Sequence, residues 1–290
     1  MAISNVSRWI LFFIDVPKMN KSPIGIFDSG LGGLSVWKEV RRQLPNEDVV
    51  YFADSSHCPY GHKSPDEIVG LTHNIVDGLL SASCKLVVVA CNTATAAAID
   101  NLRQSYDIPF VGMEPAIKQA ALHTKTGKVG VLATKGTFDG RLYKATSEKY
   151  TKNINVIVQV GDGLVELVES NEYNTGKALP LLQKYIEPMI DGNVDQIVLG
   201  CTHYPFFKSA IEKIAGPAVT VIDPAPAVAK RVGDVLQSES LQNEKKHKGN
   251  DLFVSSGKVG PMKNLLQSIT GRRFQQCEAQ LGANVYDGLM

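Results

Sequence analysis

The chain has 290 residues, enough for a substantial core or for two domains. Its 30 Lys and Arg stand against 29 Asp and Glu, a formal net charge of +1 that gives no reason to expect nucleic acid or an anionic membrane as a partner. Cys58, Cys84, Cys91, Cys201 and Cys277 follow no framework spacing, which suits a reducing cytosol better than a disulfide-stapled secreted protein, so a cytoplasmic location is expected.

The first apolar run, within SRWILFFIDV (Ser7 to Val16), is too short for a secretory h-region, is broken by Asp15 and is followed by no small-residue cleavage site. It is also far too short to span a bilayer. Ordered patterning begins at Pro23. Residues 1–21 are therefore read as an N-terminal extension, disordered or packed on the core, with Met19 as a candidate start.

Short aliphatic runs then alternate with helical stretches. Strands are predicted at 24–27, 49–53, 86–90, 110–112, 129–133, 155–159, 196–200 and 219–222. Amphipathic helices fall between them, as in PDEIVGLTHNIVDGLLSA, where Ile68, Leu71, Ile75 and Leu79 recur at helical spacing. This alternation predicts parallel sheets with helices on both faces. The polar stretch Gln237 to Asn250 reads as an exposed loop before a last strand and helix.

A faint internal repeat runs through the pattern. PIGIFDSGLGG is echoed by KVGVLATKGTF (Gly25 and Gly130, 105 apart), VVVACNT by IVLGCTH (Cys91 and Cys201, 110 apart), and PFVGMEPA by VTVIDPAPA (Glu114 and Asp223, 109 apart). Three pairs in one order imply two similar α/β halves. Asp28-Ser29, Cys91-Asn92-Thr93, Thr134 and Cys201-Thr202-His203 each follow a predicted strand, where such sheets bind ligands. Halves that face each other would bring Cys91 and Cys201 to one cleft from opposite sides.

A thiol where a strand gives way to a helix is expected to have a lowered pKa, since the helix N-terminus favours the thiolate. Asn92, Thr93 and Thr202 are natural capping or ligand-bonding residues there. The alternative is that both cysteines are small buried hydrophobes, as Cys58, Cys84 and Cys277 are read to be. A metal held by Cys91, Cys201 and His203 lacks CxxC or HExxH spacing and a fourth ligand, and a redox pair would sit closer in sequence. DSGLGG does not complete G-x-G-x-x-G, because Ser35 stands in the last glycine's place, and Asp28 would repel a phosphate. What remains is acid–base chemistry on both faces of one carbon: one thiolate removes a proton, and the opposite thiol delivers another.

Taken together, GIFDSGLGGLSV, YFADSSHCPYG, VVACNTATAAA, GVLATKGTF and VLGCTHYP resemble the glutamate racemases, cofactor-independent members of the aspartate/glutamate racemase group, from about Pro23 to beyond Asp234. The resemblance implies two pseudo-symmetric three-layer α/β domains with mainly parallel sheets and the active site in the cleft between them. Their limits are expected at 22–114 plus 225–290 and at 115–224. It further implies interconversion of L- and D-glutamate, with D-glutamate supplied to peptidoglycan synthesis, no cofactor, no metal, and a homodimer. By the same resemblance Cys91 acts on the D-enantiomer and Cys201 on the L-enantiomer, with Asp28 and His203 assisting the thiols. Asp28, Ser29, Tyr60, Gly61, Asn92, Thr93, Thr202 and His203 hold the substrate. The second half departs from the family pattern at Gly161-Asp162-Gly163, so Glu169 matches the family's glutamate only loosely. The rival readings are a racemase of another amino acid, such as aspartate, and a non-catalytic two-lobed amino-acid-binding protein.

Overall fold

The aliphatic runs form strands, and every ladder between them is parallel. The computed structural model describes residues 22–113, 116–244 and 248–271. The expectations for residues 1–21, Glu114 and Cys277 lie outside the described residues.

In chain order the strands are β1 (Ile24–Asp28), β2 (Val49–Ala53), β3 (Leu86–Val89), β4 (Phe110–Gly112), β5 (Lys128–Ala133), β6 (Asn155–Val160), β7 (Gln196–Gly200), β8 (Thr220–Ile222) and β9 (Asp251–Ser255). The helices are α1 (Leu34–Gln43), α2 (Pro65–Ser81), α3 (Asn92–Ser105), α4 (Ile117–His123), α5 (Lys135–Asp139), α6 (Arg141–Tyr150), α7 (Leu164–Glu169), α8 (Ala178–Asp191), α9 (Lys208–Ala215), α10 (Ala225–Ser238) and α11 (Val259–Thr270).

Two sheets result, ordered β4-β3-β1-β2-β9 and β6-β5-β7-β8. With β9 set aside, the second order repeats the first, β5 to β8 standing for β1 to β4. The register repeats as well: Gly25 lies opposite Val87, and Gly130 lies opposite Ile197. The pseudo-symmetry read from the cysteine spacing is thus present in the hydrogen-bonded ladders.

Side chains alternate between the two faces of a strand, and both faces of the first sheet are covered. Ile24 and Ile26 of β1 join Val49, Tyr51, Leu86 and Val88 against α1 and α10. Phe27 joins Val50, Phe52, Val87 and Val89 against α2 and α3. Each such aliphatic or aromatic side chain contributes about 1.5–3 kcal/mol by leaving water. In the second sheet Leu132, Ile197 and Leu199 face α7 and α8, while Val129, Val131 and Val198 pack with Ile117 and Ala120 of α4. Local signals set the helix starts: Ser64 caps α2 by accepting from the Glu67 N–H at 3.3 Å, with Pro65 at the first position.

The chain passes from the first sheet to the second after β4 and returns after β8, where α10 packs back on α1. Consequently the residues following β1, β3, β5 and β7 gather at the carboxyl ends of adjacent strands in both sheets, the usual ligand position in such folds. The polar stretch expected as an exposed loop is less simple. Gln237 and Ser238 finish α10, and Asn243 is buried, its N–H bonded to Glu47 Oε1 at 2.7 Å. Among the described residues no helix is long and apolar enough to cross a membrane.

Candidate active site

Cys91 ends the β3 segment as the N-cap of α3, with extended φ and ψ of −123° and 123°. Its Sγ accepts from the Ala94 N–H at 3.4 Å, and its thiol reaches Ser29 Oγ at 3.7 Å. The helix start therefore does face the sulfur. Even so, the expected lowering of the thiol pKa is not found. Burial, and then the nearby charge of Asp28, push the Cys91 thiol up, and the Ala94 and Ser29 contacts only partly oppose them. Removing the sulfur from water outweighs the Ala94 N–H and the Ser29 hydroxyl.

Cys201 follows β7, but no α-helix begins beside it. A short 3₁₀ turn, Tyr204–Phe207, with Pro205 near its start, separates it from α9. Here His203 takes the place that the helix N-terminus has beside Cys91, with Nδ1 3.7 Å from Cys201 Sγ. The ring's Nε2 lies 2.7 Å from Glu169 Oε1, which also accepts from the Leu31 N–H at 2.6 Å. Burial disfavours the charged ring, yet its contacts with Cys201, Cys58 and Glu169 outweigh that and raise the His203 pKa well above its ordinary value. Glu169, only loosely placed from sequence, thus stands beside the candidate thiol's neighbour.

Asp28 is fully buried at the end of β1, and burial raises its pKa. Its Oδ2 accepts from Gly33 N at 2.9 Å and Gly30 N at 3.3 Å, while Oδ1 accepts from Thr202 Oγ1 at 3.4 Å. It therefore joins the DSGLGG loop to the segment after β7. Thr93 and Thr134 make a second link across the halves at 2.9 Å, extended by Thr137 at 2.9 Å. Gly61 lies against Thr134 in a 3₁₀ turn over Tyr60–His62. The Tyr60 hydroxyl donates to the buried Asp54 at 2.6 Å. Asn92 is buried, and its Oδ1 makes no hydrogen bond within the protein.

All of the sequence-predicted site residues except Asp28 line one pocket: Ser29, Tyr60, Gly61, Cys91, Asn92, Thr93, Cys201, Thr202 and His203, joined by Pro59, Thr134 and Val165. The cavity is about 10 Å³, room for a single water. A larger one of about 200 Å³ lies where the chain changes sheets, beside Gly112, Lys118, Pro224 and Arg231, away from both thiols.

Cys58, read as structural, is half-buried beside His203 and Glu169, and burial pushes its thiol up to about 12. Cys84 is buried against Gly25, as a structural cysteine should be. The trio weighed for a metal, Cys91, Cys201 and His203, does not come together as a ligand set among the described residues; Cys58, Glu169 and His203 do.

Two α/β sheets of one strand order carry Cys91 and Cys201 beyond equivalent strands, and comparison with known proteins places this architecture in a family. The Asp/Glu/Hydantoin racemase family profile matches residues 24–232. The chain belongs to the Asp/Glu/Hydantoin racemase family. It is 44% identical over 239 residues to the glutamate racemase of Herpetosiphon aurantiacus, covering 82% of this chain and 94% of that protein. The crystal structure of glutamate racemase isoform RacE1 from Bacillus anthracis superposes with a TM-score of 0.80 at 32% identity, over 88% of this chain and 96% of the other. That of Francisella tularensis glutamate racemase in complex with D-glutamate gives 0.76 at 29% identity, over 88% and 96%.

Proposed function

We propose that the protein is a glutamate racemase that interconverts L- and D-glutamate by proton transfer between Cys91 and Cys201. The observation that carries this reading is the position of the two thiols, after equivalent strands of two sheets with one strand order, lining one pocket.

In the L-to-D direction the Cys201 thiolate takes the Cα proton, and the C–H electron pair stays on carbon. The Cys91 thiol then gives its proton to the opposite face and becomes the thiolate. The D-to-L direction runs the same steps with the cysteines exchanged. The pair supplies both base and acid, so this chemistry assigns no step to a cofactor. His203, held by Glu169, stands beside Cys201 and assists that thiol. Asn92 Oδ1 suits the substrate ammonium, and the helix start at α3 suits a carboxylate. Asp28 and Thr202 hold the two halves in register around the reacting carbon.

The same reading divides the chain into 22–114 plus 225–290 and 115–224, and makes the enzyme a cytoplasmic homodimer supplying D-glutamate for peptidoglycan synthesis. Incubation of the pure protein with L-glutamate tests it: D-glutamate should accumulate to an equal mixture, reached from either enantiomer. Product from aspartate alone would mark a different racemase. Tight binding of either acid without product would mark a binding protein.

A further inference from the structure

Proton exchange between two opposed thiols uses Cys91 and Cys201 and leaves Cys58 without a task. Its surroundings suggest one. Cys58 comes from the loop after β2, Glu169 ends α7 and His203 follows β7, so three separate elements deliver three donors to one place. Their ligand atoms all lie within 4.8 Å of one another, and no other such group of three occurs among the described residues. Glu169 Oε1 and Cys58 Sγ both press on the spot where a Cβ on Gly30 would stand, and His203 Nε2 is 2.7 Å from that same Oε1. The DSGLGG loop, with no side chain at Gly30 or Gly32, leaves the three donors facing one another.

The donors are a sulfur, an imidazole nitrogen and a carboxylate oxygen, the mixture that suits zinc. Ligands around tetrahedral zinc are separated by about 3.3–3.8 Å. The 2.7 Å pair must open slightly, and the widest gap, within 4.8 Å, closes by at most about 1 Å. Three protein ligands leave a fourth position for water.

We propose that Cys58, Glu169 and His203 form an inhibitory site for a thiophilic divalent cation of the zinc class. On binding, the Cys58 thiol proton and the proton between His203 and Glu169 pass to solvent, and the metal takes their place with no change of oxidation state. His203 and Glu169 are then withdrawn from Cys201. The inhibition rests on the racemase reading above, whereas the binding does not.

Cobalt(II) titration of the reduced, full-length protein gives the binding readout. A thiolate-to-cobalt charge-transfer band should saturate at one equivalent, be discharged by Zn²⁺, and be absent in Cys58→Ser. Racemisation should be inhibited by Zn²⁺ and restored by chelator. Measured against its own metal-free rate, Cys58→Ser should need about 10-fold more Zn²⁺ or above for inhibition, since losing a ligand costs at least what losing an outer partner does. If Cys58→Ser does not fold, Cys58→Ala and Glu169→Gln replace it, and each should weaken cobalt binding similarly. A band that persists without Cys58 but vanishes in Cys91→Ser or Cys201→Ser places the metal on the opposed thiols and overturns the proposal, as does the lack of any band. A protein that shows the Cys58-dependent band but does not racemise glutamate keeps the metal site and loses the racemase reading.

Discussion

Glu169 Oε1 stands 2.7 Å from His203 Nε2, and the opposite ring nitrogen lies 3.7 Å from Cys201 Sγ. Carboxylate, imidazole and thiol form a line, so the carboxylate orients the ring and favours its charged form, and that charge sits beside the sulfur. On the Cys91 side the corresponding place is taken by a helix start and a serine hydroxyl. The two halves share a fold, but they prepare their thiols differently.

Glu169→Gln keeps the shape of the side chain and an oxygen for the Leu31 N–H, but removes the charge. We expect kcat/KM to fall by about 10²-fold, within the range that general acid–base groups contribute. Enantiomers have equal free energy, so the fall must be the same from L- and D-glutamate, while kcat and KM can shift separately. The pH–rate profile should change shape, because His203 loses the group that holds its proton. An unchanged rate and profile would remove Glu169 from the mechanism.

Heavy water separates two bases from one. Under initial-rate conditions L-glutamate should give D-glutamate labelled at Cα, while recovered L-glutamate stays almost unlabelled, because a thiol carries one proton and the opposite thiol delivers the solvent-derived one. Replacing Cys91 or Cys201 with Ala should each cost about 10²–10⁴-fold or more in racemisation. Substrate that gains deuterium as fast as product forms would falsify the opposed-thiol mechanism.

Gly32→Ala should damage the site through packing alone. A Cβ there runs into the His203 ring, which is fixed by Glu169 on its far side. We expect about 1–3 kcal/mol of lost stability and a larger loss of turnover. Gly70→Ala on α2 is the control, since its Cβ meets nothing within 4 Å, and it should stabilise the fold by about 0.5–1 kcal/mol. Denaturant midpoints and kcat for the two variants decide the matter; equal behaviour would mean that the ring moves freely.

Folded His203 holds its proton well above the ordinary value of 6.5. A raised pKa means that folding gains stability from this group, fully present below about pH 6.5 and lost as pH rises through the folded value. Urea unfolding from about pH 6 to about 8.5 should show stability declining in the wild type, and the decline should be shallower in His203→Asn. Parallel curves for the two proteins would show that the ring titrates normally.

The sheets were legible in the sequence because aliphatic runs of strand length ended in polar residues, and the matched contexts of Cys91 and Cys201 marked the carboxyl ends of equivalent strands. Glu169 was harder to place. Gly163, at φ 84°, turns the chain into a six-residue helix too short to show a period, and the glutamate is its last residue. Cys58 carried no local signal, since only the folding of two distant segments brings His203 to it. The direction of the Cys91 shift was misjudged for a related reason. The helix start is a local feature readable from neighbours, whereas burial depends on everything that packs around the sulfur.

Space for one water between the thiols is far less than an amino acid occupies. Under the proposed racemase reading, substrate entry requires the two halves to part, and the apparent affinity is the intrinsic affinity scaled by the fraction of molecules already parted. Links such as Thr93 to Thr134 and Asp28 to Thr202 set that fraction. Thr134, which is not among the residues expected to hold the substrate, is where a substitution would shift the population toward the receptive form and leave both cysteines in place.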